Sequence, residues 1–177
     1  MLNIRTGRLA LALLLSLGLT PLSLAQTVEV EPRIKAAFVY NLLKFVEWPA
    51  QAVGGPVTIC LAHSDSALES AFNALNGRVA NGRTVVVRAL PEAAGPGACN
   101  VVYLNNGSVK KILNQLVTEE GNLLTISDAR NFIAAGGVVG MLVGDDGRLQ
   151  FEVNLEASRR ASYLISSQLL KLARNIH

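Results

Sequence analysis

The residues best suited to chemistry in this chain are few and scattered. His63, Ser64 and Asp65 stand in a row. They supply the side-chain types of a hydrolytic triad, but a triad needs convergence from separate elements, which neighbours in sequence do not give. His63 reads as a loop histidine ahead of a capped helix. Asp145 and Asp146 offer carboxylates, yet a calcium loop needs more oxygen ligands at staggered positions, so they read as a solvated turn. Asn106-Gly107-Ser108 fits a glycosylation sequon and equally a turn followed by a helix cap. There is no Gly-x-Ser-x-Gly elbow, Walker motif or His-Glu-x-x-His, and no Gly-x-Gly-x-x-Gly follows the first strand. The residues point to no catalytic group, no cofactor and no metal.

Two cysteines remain, Cys60 and Cys99. With Cys99 and His177 remote from Cys60 and His63, the four residues lack the clustered ligand spacing of a zinc site. An even pair in an oxidising compartment reads as a disulfide, with two buried thiols as the alternative. Its loop of about 40 residues is worth about 4 kcal/mol in the chain-entropy model.

The N-terminus supplies that compartment. Arg5 and Arg8 precede residues 9–19, which are almost all Leu and Ala. Eleven residues fall short of the roughly 20 that span a bilayer. Ser23 and Ala25 then put small residues where a signal peptidase reads. Residues 1–25 are therefore expected to be a cleaved signal peptide, against a retained anchor, and residues 26–177 one α/β domain. The chain has 16 Lys+Arg and 13 Asp+Glu. Without Arg5 and Arg8 the mature part carries a formal charge of only +1, which removes the main support for nucleic-acid binding. No later stretch is long and apolar enough to span a membrane.

Elements must position these residues. Residues 32–48 read as a first helix, opened by Pro32 and closed by Pro49. Ile34, Phe38, Leu42 and Phe45 make one apolar face; Arg33, Lys35, Lys44 and Glu47 are the polar exceptions. Strands follow at 57–61, 84–90, 100–104 and 122–127, with helices at 64–75 and 108–119 between them. Residues 128–135 read as one or two helical turns. Residues 138–143 and 148–153 flank Gly144-Asp145-Asp146-Gly147, a hairpin signature. Asn154 caps an expected long last helix to residue 174. Strand–helix alternation implies right-handed crossovers and a mostly parallel sheet. The expected architecture is a three-layer α/β/α sandwich, with the hairpin as an antiparallel edge. Trp48 is either core or a partner anchor. Arg159 and Arg160 form a solvated face, or meet the acidic surface of a partner, or pair with Glu152 or Glu156.

Two segments carry a resemblance. Lys35-Ala36-Ala37-Phe38-Val39-Tyr40-Asn41-Leu42-Leu43-Lys44-Phe45-Val46-Glu47-Trp48-Pro49 resembles the opening helix of the YfiR family of bacterial periplasmic proteins. Arg148-Leu149-Gln150-Phe151-Glu152-Val153-Asn154-Leu155, with Ala157, Arg160-Ala161, Ser166-Ser167 and Leu169-Leu170, resembles that family's closing strand and helix. Residues 79–83 and 124–128 also look like family segments. The resemblance implies a non-enzymatic periplasmic repressor that binds the periplasmic domain of an inner-membrane diguanylate cyclase or related sensor. It would thereby restrain cyclic-di-GMP synthesis and biofilm formation. Cys60 and Cys99 match the family's better-retained cysteine pair; the founding member's second pair is absent here. Lys44, Glu47, Trp48, Arg159 and Arg160 are the expected partner-binding residues, and a homodimer stays open. The rival expectation is a periplasmic enzyme or small-ligand binder. Its pocket would lie at the carboxyl ends of the parallel strands, near His63 and Asn105.

Overall fold

The structure, a computed structural model, describes residues 30–48, 55–62, 64–90, 99–105, 109, 112–113, 123–161 and 163–177. The expected signal peptide, His63, the sequon at 106–108 and most of the expected helix at 108–119 lie outside them.

Apolar, β-branched runs build the centre. Strands β2 (Val57–Ala62), β5 (Val101–Leu104) and β6 (Leu124–Ser127) are buried at every position, as parallel strands covered on both faces must be. With β1 (Val46–Glu47), β3 (Val79–Ala80), β4 (Arg83–Ala89), β7 (Val139–Val143), β8 (Leu149–Val153), β9 (Leu164–Ile165) and β10 (Asn175–Ile176) they form two sheets. The main sheet runs β10-β8-β7-β6-β5-β2-β4-β3. It is mixed and mostly parallel: only β7–β8 and β3–β4 are antiparallel. The hairpin signature at 144–147 joins β7 to β8, with Gly147 at φ 75°.

Alternation along β2 sends Val57, Ile59 and Leu61 to one apolar cluster and Cys60 and Ala62 to another. The larger cluster packs under helix α1 (Pro32–Leu43) through Ala36, Val39, Leu42 and Leu43, and under α2 (Ser66–Asn73) through Leu68 and Phe72. Asp65 caps α2 by accepting from Leu68 N at 2.8 Å. The smaller cluster gathers Cys60, Val102 and Leu104 with Ile112, Leu113 and Phe132. Among the described residues no helix is long and apolar enough to cross a membrane.

Three expectations about elements need correction. The first helix stops at Leu43, five residues short of Trp48. Val46 and Glu47 are instead extended and pair with β9. A β-branched residue favours this geometry, and tertiary pairing overrides the helical spacing. The last helix is broken into α3 (Leu155–Arg160) and α4 (Ser167–Leu170), with β9 between them and β10 after them. Its serines are the reason. Ser166 caps α4 by accepting from Leu169 N, and Ser158 Oγ donates to the Tyr163 carbonyl; such side chains offer the backbone alternatives to a continuous helix. Finally, β8 is not the sheet edge, because β10 pairs with it in parallel. Residues 128–135 are a series of turns, closed by Gly136 at φ 96°.

Candidate functional site

The small β1–β9 sheet brings together the two segments that hold the expected partner-binding residues. Val46 stands opposite Ile165 and Glu47 opposite Leu164. Ser166 N donates to the Phe45 carbonyl at 2.9 Å, extending the contact. Trp48 then meets Tyr163 with ring centroids 5.5 Å apart. Trp48 is half-buried and packs on the main core, so most of its ring serves packing. Glu47 and Lys44 are exposed. Arg159 is exposed, and Arg160 Nη1 donates to Glu156 Oε1 at 2.7 Å. Glu156 is thus the partner of Arg160. Glu152 faces Asn175 at 2.8 Å and His177 at 3.4 Å.

Three polar atoms in this corner are buried without a hydrogen bond: Trp48 Nε1, Arg83 Nη1 and Tyr163 OH. Burial pushes the Tyr163 phenol well above its ordinary pKa, and lowers that of the Arg83 guanidinium. Arg83 spends its other donors on the carbonyls of Gly55 and Pro56, at 2.8 and 2.9 Å. An unsatisfied buried hydroxyl costs about 1–3 kcal/mol. Tyr163→Phe is therefore expected to raise stability by about 1 kcal/mol in urea unfolding; a loss of similar size would place a hydrogen bond on that hydroxyl.

Beside this corner, Tyr40 carries two cations. Lys44 Nζ lies 4.4 Å from its ring centroid and Arg78 Cζ 4.5 Å, each contact worth about 0.5–1 kcal/mol at an exposed site. The Tyr40 hydroxyl donates to the Val79 carbonyl at 2.8 Å, tying α1 to edge strand β3. Neither Tyr40 nor Arg78 was among the expected site residues. The signal in the sequence is Asn76-Gly77 just before Arg78, which marks an irregular strand start but does not say where Arg78 points.

A cleft of about 1070 Å³ opens at the carboxyl ends of β5 and β6, lined by Lys35, Asn105, Asp128, Arg130, Glu152 and His177 among others. This is where the rival expectation placed a pocket around Asn105. Ser127 fixes the turn that leads into it: its Oγ donates to the Leu104 carbonyl at 2.7 Å and accepts from Ala129 N at 3.0 Å. That turn aims Asp128 at Lys35 from α1, with Nζ and Oδ2 2.7 Å apart and the Lys35 side chain only 3% exposed. The hydrophobic spacing of the first helix set Lys35 apart as a polar exception, but only the chain's path after β6 supplies its carboxylate. The cleft's charges are mixed and its walls include Phe132, Met141 and Leu149. It can hold a small molecule with polar and apolar parts. Among the described residues no three His, Cys, Asp or Glu side chains form a metal set.

Cys60 and Cys99 are bonded, with Cα atoms 5.9 Å apart. Cys60 is fully buried within β2, and Cys99 precedes β5, β2's parallel neighbour. Asn100 continues that link: its side-chain oxygen accepts from Thr58 N and its own N–H donates to the Thr58 carbonyl, both at 2.9 Å. The bridge therefore fastens two central strands.

Comparison with known proteins adds two findings. The sequence profile of the family described as YfiR/HmsC-like matches residues 32–174. Among solved structures, a conserved domain protein from Vibrio cholerae O1 biovar eltor str. N16961 is similar in fold, with a TM-score of 0.54 at 8% identity. The superposition covers 82% of this chain and 60% of that one, so this chain spans less than two thirds of that chain's length. No curated protein matches the sequence significantly.

Proposed function

The chain belongs to the YfiR/HmsC-like family, and from that premise we propose that it is a periplasmic regulatory protein. In this reading it represses an inner-membrane diguanylate cyclase or related sensor by binding that protein's periplasmic domain. The observation that carries the reading is the extent of the family match, which takes in every element from α1 to β9 and α4. The Cys60–Cys99 bridge is consistent with an oxidising compartment. A signal peptide over residues 1–25 would deliver the chain there. We take the arrangement to be three-layered, supported by apolar clusters on both faces of the sheet.

The protein has no reaction to perform in this reading. It binds one conformation of the sensor domain better than the other, and the difference in affinity sets the shift. About 3 kcal/mol of differential binding changes that equilibrium more than a hundredfold. The binding surface is proposed to include Lys44, Glu47 and Trp48 with Arg159 and Arg160, on the segments that β1 and β9 join.

Amine-reactive cross-linking in intact cells, followed by mass spectrometry, tests this. Lys44 is exposed, and it is expected to cross-link to the periplasmic domain of a membrane protein carrying a cytoplasmic cyclase or kinase module. Cross-links confined to copies of this chain, or to soluble enzymes, would count against the reading. The cleft supports a second one, a small-ligand binder. A rise in melting temperature with a periplasmic extract of small molecules, but not with membranes, would favour it.

A further inference from the structure

Resting on the reading of this chain as a partner-binding regulator, we propose that Tyr40, Lys44 and Arg78 form a docking site for a carboxylate-bearing segment of the partner protein. The two cations lie within about 9 Å of each other, because both approach one ring centroid within 4.5 Å. At that spacing, about a Debye length at physiological salt, they repel one another. Among the described residues neither forms a salt bridge. Lys44 Nζ donates to the neutral Asn41 Oδ1 at 2.9 Å, and the exposed Glu47 on neighbouring β1 pairs with neither. Among the described residues the positive charges are gathered and no carboxylate pairs with either of them.

The gathering is built into the backbone. Gly77 N donates to the Val85 carbonyl at 3.0 Å, and Val85 N donates to the Arg78 carbonyl at 2.8 Å. Two residues thus stand opposite one, which is a β-bulge, and bulges re-aim side chains. Gly77 takes φ 79°, a conformation that a residue with a Cβ adopts only with strain. The bulge sends Arg78 over Tyr40, while the Tyr40 hydroxyl, bonded to Val79, fixes the ring between α1 and the sheet edge.

The chemistry of the surroundings favours a peptide over a lipid surface. Electrostatic attachment to anionic lipid takes clusters of about 4–8 basic residues, and this ring gathers two. Val79, 57% exposed, adds an apolar contact next to the charges. An acidic segment with an apolar side chain beside its carboxylates fits both features.

The test uses the purified protein from residue 26 and a fluorescein-labelled hexaglutamate peptide, read by anisotropy and by amide chemical shifts. Binding is expected to move the signals of Tyr40, Lys44 and Arg78 and to weaken with salt. Lys44→Glu with Arg78→Glu should reduce affinity about tenfold or more. Lys44→Arg with Arg78→Lys should hold it within about threefold. Reversal of two exposed cations elsewhere, Arg148→Glu with Lys171→Glu, controls for net charge and should leave the affinity near wild type. Equal loss in both reversed pairs, shifts elsewhere, or no binding would overturn the proposal. So would pair-specific binding seen only with phosphatidylglycerol vesicles. This assay reads no cyclic-di-GMP, so its failure is distinct from failure of the regulatory reading.

Discussion

Replacing Cys60 and Cys99 together by alanine is expected to cost about 4 kcal/mol of stability. That estimate is the loop-closure entropy released when a bridge across 39 residues of sequence is cut. Domain stabilities are about 5–15 kcal/mol in all, so the variant keeps a small margin. The melting temperature should fall by roughly 10 °C for a domain of this size. Alanine is preferred to serine for this measurement because Cys60 is fully buried, and a buried hydroxyl would add its own cost. Urea unfolding at fixed pH, with and without reductant, checks the figure. A loss below about 1 kcal/mol would mean that the β2–β5 ladder and the Asn100–Thr58 hydrogen bonds already hold these strands. In cells, Cys60→Ser and Cys99→Ser should each raise cyclic-di-GMP while the protein remains present, if a tightly held central sheet is needed for partner binding.

Asp128→Ala is the second large effect, with an expected loss of about 3 kcal/mol. The Lys35 ammonium is almost wholly buried, and this substitution removes the carboxylate 2.7 Å from it. Breaking a buried pair from one side costs about 3–5 kcal/mol, whereas exchanging both partners for apolar residues is often close to neutral. Lys35→Met with Asp128→Leu should therefore recover most of what Asp128→Ala loses, and a double-mutant cycle separates pairing from burial. If the double variant is as unstable as Asp128→Ala, the pair matters chiefly through the shape of the turn after β6. The same cycle bears on function, because both residues line the cleft. A regulator that works through its outer surface should keep repressing with the apolar pair in place.

Much of this fold is legible in the sequence where a local signal and a tertiary demand agree. The expected strands at 57–61, 100–104 and 122–127 are rich in apolar and β-branched residues, and the buried parallel strands Val57–Ala62, Val101–Leu104 and Leu124–Ser127 stand there. Gly144 and Gly147 mark the hairpin, and Asp65 and Asn154 cap the helices that follow them. The errors fall where distant parts of the chain compete for a segment. Residues 44–48 have helical spacing, but β9 takes Val46 and Glu47 as a strand. Residues 154–174 have apolar positions enough for one helix, but Ser158 and Ser166 break it, and β10 completes the sheet edge.

The candidate site divides in the same way. Cys60 and Cys99 were readable as a pair, since a cysteine count and a compartment suffice. Arg160 had Glu152 and Glu156 as its options, and the helical i,i+4 spacing of Glu156 is the one realised. Lys35 with Asp128, and Arg78 over Tyr40, were not readable. The first depends on a turn after β6 and the second on a bulge, and neither leaves a periodic trace.

The most direct test of the regulatory account is the cyclic-di-GMP level of the native host after deletion of this chain. The deletion should raise it. Complementation with the full sequence should restore the low level, whereas a version starting at residue 26, confined to the cytoplasm, should not. An unchanged level on deletion, or equal rescue by the cytoplasmic version, would contradict the account.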